Sequence, residues 1–169
     1  MFSTVKKYSL RCIYVTLPFI ASAANGQTMN TSRAESQQLM NAALPFAEQM
    51  LERHGEFFPY GLALNTEGKI VSVAGHSEQQ QPQPSEIIQI IKSGFIEGAK
   101  SGQYKATALV YDARVTLPST GNKSDAIAIS LNHKYDYSVI VHLPYKIEAG
   151  KVIFGELFAM RGENDIFKK

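Results

Sequence analysis

The chain has 169 residues, with 17 Lys+Arg against 15 Asp+Glu and a formal net charge of +2. Lys6, Lys7 and Arg11 come before any acid, so from Asn25 onward 14 basic residues face 15 acidic ones, a net of −1. A near-neutral body of this kind carries no electrostatic footprint for nucleic acid and no Lys/Arg cluster for anionic lipid. Its one cysteine, Cys12, leaves the rest of the chain without thiol catalysis, Fe–S ligation or Cys-type zinc.

The first two dozen residues have three parts. A basic start leads into an uncharged apolar run from Cys12 to Ala21, and Ala21-Ser22-Ala23 then offers small residues at −3 and −1, with Ser22-Ala23-Ala24 as a second frame. This layout predicts a cleaved secretory leader over residues 1–24. The run is about 10 residues long, whereas a membrane span takes about 20. Arg11 directly before Cys12 does not suit a lipid-attachment site. The expectation is export to the periplasm or beyond, with no membrane contact after cleavage. An exported body of about 145 residues buries roughly two-thirds of its unfolded surface, enough for one core without disulfides.

A polar, flexible lead-in is expected over residues 25–31 and one domain over 32–169. Ser32 and Glu35 have the spacing of a capping box, and Leu39, Ala43, Ala47, Met50, Leu51 and His54 recur at helical spacing. Pro45 should kink or restart this helix. Phe57 to Asn65 and Lys69 to Ala74 read as strands around the turn Asn65-Thr66-Glu67-Gly68. His76 to Pro84, rich in Gln and Pro, reads as a surface loop. A second helix starts near Pro84 or Ser85, with an apolar face of Ile87, Ile88, Ile90, Ile91, Phe95 and Ile96. Gly94 and Gly98, one turn apart, predict close approach to a sheet. Four strand-like runs follow, Tyr104 to Val115, Asp125 to His133, Tyr137 to Ile147 and Lys151 to Met160, with Pro118 to Ser124 as a longer flexible link.

The order α-β-β-α-β-β-β-β predicts one α+β domain, a mostly antiparallel sheet packed by two helices. The order resembles that of profilin and roadblock sheets, a likeness that carries no function. A three-residue turn at Lys134 to Asp136 aligns Val139, Val141 and Leu143 with Leu131, Ile129 and Ile127 on an aliphatic core face. A three-residue loop Glu148-Ala149-Gly150 would set His142 opposite Glu156 and Ile140 opposite Phe158. The second face then carries Ala126, Ala128, Ser130, Ile140, His142, Phe154, Glu156 and Phe158, a mixed set that the first helix, a second copy or a partner should cover.

His142 beside Glu156 has the form of a general base with its orienting carboxylate, or of an ordinary cross-strand polar pair. Asp112 and Arg114 share a face of one strand, as a cleft-lining acid–cation pair or as a solvated one. His54, His76, His133 and His142 lack the spacing of helical zinc ligands, so no metal is expected. No phosphate loop, dinucleotide fingerprint or G-x-S-x-G elbow is present, so no cofactor is expected. Phe57, Phe58 and Tyr60, between Gly55 and Gly61, form a recognition ridge or plug the core.

Gly55-Glu56-Phe57-Phe58-Pro59-Tyr60, Tyr111-Asp112-Ala113-Arg114-Val115, Asp125-Ala126-Ile127, Leu143-Pro144-Tyr145 and Phe154-Gly155-Glu156-Leu157-Phe158 resemble signatures of a family of small bacterial proteins of uncharacterised function. The resemblance implies one intact bacterial domain and no particular activity. The leading expectation is an exported, non-enzymatic binding protein, of inhibitor or immunity type, meeting a protein partner or a second copy through Phe57, Phe58, Tyr60, Phe154 and Phe158. The alternative is a small hydrolase or ligand-binding enzyme that gathers His142, Glu156, Asp112 and Arg114 in one pocket.

Overall fold

In the computed structural model, which describes residues 21–73 and 82–168, the chain runs α1 (Ala21–His54), β1 (Tyr60–Asn65), β2 (Ile70–Val73), α2 (Pro84–Lys100), β3 (Tyr104–Thr116), β4 (Lys123–His133), β5 (Tyr137–Glu148), β6 (Lys151–Phe154) and β7 (Phe158–Arg161). The expected leader up to residue 20, and most of the glutamine-rich loop, lie outside the described residues. The strands form one antiparallel sheet in the order β2-β1-β3-β4-β5-β6, with β7 also paired to β5. This is the predicted α+β domain, and its last expected strand is split in two.

The helices take opposite faces. α1 buries Ser32, Ser36, Leu39, Ala43, Ala47 and Leu51, spaced three or four apart. Four of these six are small, so the helix axis lies close to the sheet. Beneath it sit Leu64, Ala106, Ala108, Val110, Ile127, Ile129, Leu131 and Val141. α2 packs Ile87, Ile91 and Phe95 on the other face, against Ala63 and Leu109. Its glycines mark the closest approach, as their spacing predicts. A Cβ on Gly98 would lie 2.2 Å from the Tyr104 ring, and one on Gly94 would lie 3.3 Å from Val73.

Three expectations about α1 need correction. The helix already spans the expected lead-in, and Ser32 is no N-cap: its Oγ donates to the Thr28 carbonyl at 2.9 Å from within the helix. The true capping contact is on α2, where the Gln83 N–H donates to the Glu86 carboxylate at 3.1 Å. Pro45 does not break α1. It sits on the exposed side, near the equally exposed Asn41 whose carbonyl it cannot satisfy. On the sheet side the Tyr60 hydroxyl donates to the Ala43 carbonyl at 2.7 Å, with the Ala47 amide hydrogen-bonded to the same group. A side chain thus braces the ladder beside the proline.

The hairpin turns fix the register. Leu131, Ile129 and Ile127 face Val139, Val141 and Leu143 across β4 and β5, as predicted, and Asp136 at φ 60 closes the three-residue loop. Thr116 pairs with Lys123, and the Leu117 amide donates to the Asn122 carbonyl at 2.8 Å, so the link between β3 and β4 is a closed hairpin loop. The β5–β6 loop departs from expectation. Glu148 pairs with Lys151 around a two-residue turn, Ala149 (φ 50) and Gly150 (φ 76), the pattern of a type I′ turn. Tyr145 therefore faces Phe154, and the Gly155 amide still bonds the Pro144 carbonyl at 2.8 Å. Beyond that point His142 faces Phe158. Glu156 and Leu157 together oppose Leu143, a β-bulge.

The packing of β1 under α2 gives a direct check. A Cβ on Gly61 would lie 2.6 Å from Ile91 Cγ2 and 2.7 Å from the Phe95 ring. Gly61→Ala is expected to cost about 1–3 kcal/mol through overpacking, read as a lower urea midpoint with an unchanged slope.

Candidate functional site

α2 packs on β1, β2 and β3, and among the described residues no helix covers the rest of that face. The open half is built by β4, β5 and β7. β4 contributes a floor of small side chains, Ala126, Ala128 and Ser130, and β5 adds Ile140, His142 and Pro144. β7 adds Phe158 opposite His142 and Met160 opposite Ile140. A hollow of about 240 Å³ lies toward α2, between Ile88, Tyr111, Ser130 and Ile140. Another of about 350 Å³ lies toward the edge, beside Leu117, Pro144, Leu157 and Phe158. Met160 is 57% exposed and Leu157 45%.

His142 is the imidazole at the centre of this surface. Its ring stacks on Phe158 with centroids 4.9 Å apart and planes at 19°. Its Nδ1 is buried with no hydrogen-bond partner. Burial lowers the imidazole's pKa, so the ring is neutral at pH 7 and behaves as part of an aromatic platform.

The expected catalytic group does not assemble. The two-residue turn and the bulge remove Glu156 from His142 and leave it exposed in the bulge. Asp112 points to the opposite, α1 side, where its Oδ1 accepts from the Tyr145 hydroxyl at 3.0 Å. Burial raises the Asp112 carboxyl, with the Tyr145 hydrogen bond working against it. Arg114 pairs with Asp125 at 2.6 Å in a largely exposed contact. The aromatic candidates also separate. Phe57 is buried in the α1 core, and Tyr60, its hydroxyl bound to α1, packs edge-on to both Phe57 and Phe46. Phe58 alone of that ridge is open, at 63% exposed. The two-residue turn sets Phe154 opposite Tyr145 on the α1 face, and the bulge returns Phe158 to the second face, so Phe154 does not join the mixed face.

Sequence reasoning missed a cluster at the far end of the sheet. The Glu35 carboxylate accepts from Lys105 Nζ at 2.6 Å through one oxygen, and meets His133 Nε2 at 2.7 Å through the other. Lys105 reaches α1 because of a bulge: Leu64 faces Ala106 while Asn65 faces Tyr104, so Lys105 is the extra residue. His133 is fully buried, and its Nδ1 accepts from the Tyr135 amide at 3.1 Å. That contact leaves the proton on Nε2, donated to Glu35. Burial pushes Glu35 up, but the hydrogen bonds and charges of Lys105 and His133 outweigh it and hold the carboxyl below its usual range. Burial lowers the His133 imidazole, Glu35 opposing and the Lys134 and Lys105 charges adding to the effect. This cluster ties α1 to β3 and β4. The one sequence signal for it, Ser32-x-x-Glu35, was shared with a capping box.

Comparison with family models, with curated proteins and with solved structures gives no match. The likeness to profilin and roadblock sheets therefore rests on element order alone. Among the described residues, no three His, Cys, Asp or Glu side chains converge to hold a metal, and no helix is long and apolar enough to cross a membrane.

The buried cluster sets a pH dependence. Both Glu35 and His133 hold protons less tightly folded than unfolded. Stability is then complete above the unfolded imidazole value of about 6.5 and falls as pH drops below it. The wild-type urea midpoint is expected to be lower at pH 5 than at pH 7.5, and His133→Gln to flatten that fall. Glu35→Ala is expected to cost about 3 kcal/mol at pH 7.5, because Lys105 and His133 lose their shared acceptor.

Proposed function

We propose that the chain is an exported, non-enzymatic binding domain that meets another protein through the open half of its sheet. The observation that carries this reading is the uncovered surface of Ile140, Phe158 and Met160 around the buried His142 ring, with Leu157 on its rim. Contiguous exposed apolar surface of this kind marks protein contact sites, and aromatic anchors dominate such contacts. Phe158 is the central anchor, and Phe154, on the other face of the sheet, does not share this surface. An inhibitor or immunity role suits a small exported domain of this type. The hydrolase reading requires His142, Glu156, Asp112 and Arg114 in one pocket, and their spread over two faces counts against it.

A photo-crosslinking residue at Met160, in the full chain expressed in its own cells, tests the surface. A product with a second protein is expected, and a product of twice the chain's mass would assign the surface to a second copy. No product at Met160, when the same group at Leu157 also gives none, would overturn the binding reading. Export is checked by sequencing the N-terminus of the accumulated protein. Ala24 or Asn25 is expected as the first residue, and an intact Met1 would contradict cleavage.

A further inference from the structure

Residues 162–168 leave β7 and return along the second face of the sheet to α2. Gly162 permits the start of this path: a Cβ there would lie 2.2 Å from Ser138 Oγ and 3.0 Å from the Val139 amide nitrogen. Asn164 docks next. Its backbone N–H donates to Ser138 Oγ at 3.0 Å, and its side-chain amide donates to Asp136 Oδ1 at 2.7 Å. Asp165 then pairs with Lys92 of α2, and Ile166 is buried in the α2 core. Glu163 and Asp165 also wall the hollow beside Tyr111 and Ile140. The segment is a strap with two anchors, one on the β4–β5 turn and the adjoining Ser138 of β5 and one on α2.

The turn anchor leads back to His133. The Tyr135 amide that donates to His133 Nδ1 belongs to the same three-residue turn as Asp136, which holds Asn164. A second proton on the imidazole would set one N–H against another at that contact, while the Nε2–H bond to Glu35 would strengthen. The groups facing the ring are Glu35 from α1, Lys105 from β3, and Lys134 and Tyr135 from the turn, the Tyr135 ring lying 5.2 Å away. Glu35 favours the second proton, and the two lysines and burial oppose it. Space for movement exists, because a hollow of about 590 Å³ lies between Tyr135, Asp136, Asn164 and Phe167. The joint is also incompletely satisfied, since Asn164 Oδ1 is buried without a partner.

We infer that uptake of a second proton by His133 releases the strap from the β4–β5 turn while its α2 anchor and the Glu35 contact hold. Acidification thereby frees Glu163 from one wall of the hollow over β3 and β4, Asp165 staying on Lys92, without unfolding the domain. This device does not depend on which partner, if any, occupies the open face.

Amide hydrogen exchange of the full chain, followed by NMR from pH 7.5 to 5.0 and corrected for intrinsic rates, tests it alongside the titration of the His133 ring signals. The window stops above the range of ordinary carboxylates. Protection of the Asn164 and Tyr135 amides is expected to fall at least tenfold, with the midpoint of the His133 titration, while α1 and α2 stay protected. In His133→Gln, protection at Asn164 should persist to pH 5.0. The inference is overturned if Asn164 stays protected throughout in the wild type, is lost equally in the variant, or is lost together with the helices. Should the variant not fold, agreement or disagreement of the two wild-type midpoints decides.

Discussion

An α-helix is about 10 Å across with its side chains, and neighbouring strands lie about 4.8 Å apart, so a single helix laid along a sheet covers two or three strands. The sheet here is six strands wide along its main path. α1 overcomes the limit by length and by a stripe of small side chains that lets it reach from β1 to β6. α2, with 17 residues, cannot do the same and stays over β1, β2 and β3. The open half of the second face follows from that inequality. β4 suits its position there, with Ala126 and Ala128 buried largely by their sheet neighbours instead of by a covering helix.

Two departures from strand alternation shape the polar and the apolar surfaces separately. At Lys105 an extra residue turns a cation toward α1, where it completes the Glu35–His133 cluster. At Glu156 and Leu157 an extra residue rotates the following strand, so that Phe158 stacks on His142. Both bulges act on long-range geometry through one residue each. The polar cluster binds α1 to the sheet at one end, the Tyr60 hydroxyl binds it near its proline, and the aliphatic face between them holds the middle.

Legibility in the sequence followed the locality of each signal. The β4–β5 register was readable because a three-residue loop and two aliphatic runs agree on it. The β5–β6 register was not, since an alanine at φ 50 gives no sign of the left-handed turn that Asn or Gly would announce. One misplaced residue there both created the His142–Glu156 pair and put Phe154 on the wrong face. Ser32 and Glu35 show the opposite failure. Their spacing is a true regularity, yet the serine faces the core and the glutamate reaches a lysine and a histidine far along the chain. Pro45 was read from the helix alone, and the phenol that braces it comes from β1. The small floor of β4 was legible, because it needs only strand alternation, whereas Phe158 reaches the expected face only because the turn and the bulge offset each other.

The bulge also governs how the molecule ends at its edge. Ile153 and Phe154 on β6, Met160 on β7 and Leu157 between the two strands lie along the outer edge of the sheet, each well exposed. As one straight strand they would offer a long apolar ladder with free backbone donors and acceptors, a template for stacking chain upon chain. The kink at Glu156 and Leu157 cuts that ladder into two pieces of four residues each, and Lys151 places a charge at its head. The exposed edge is in this way kept from adding strands without end by a single surplus residue.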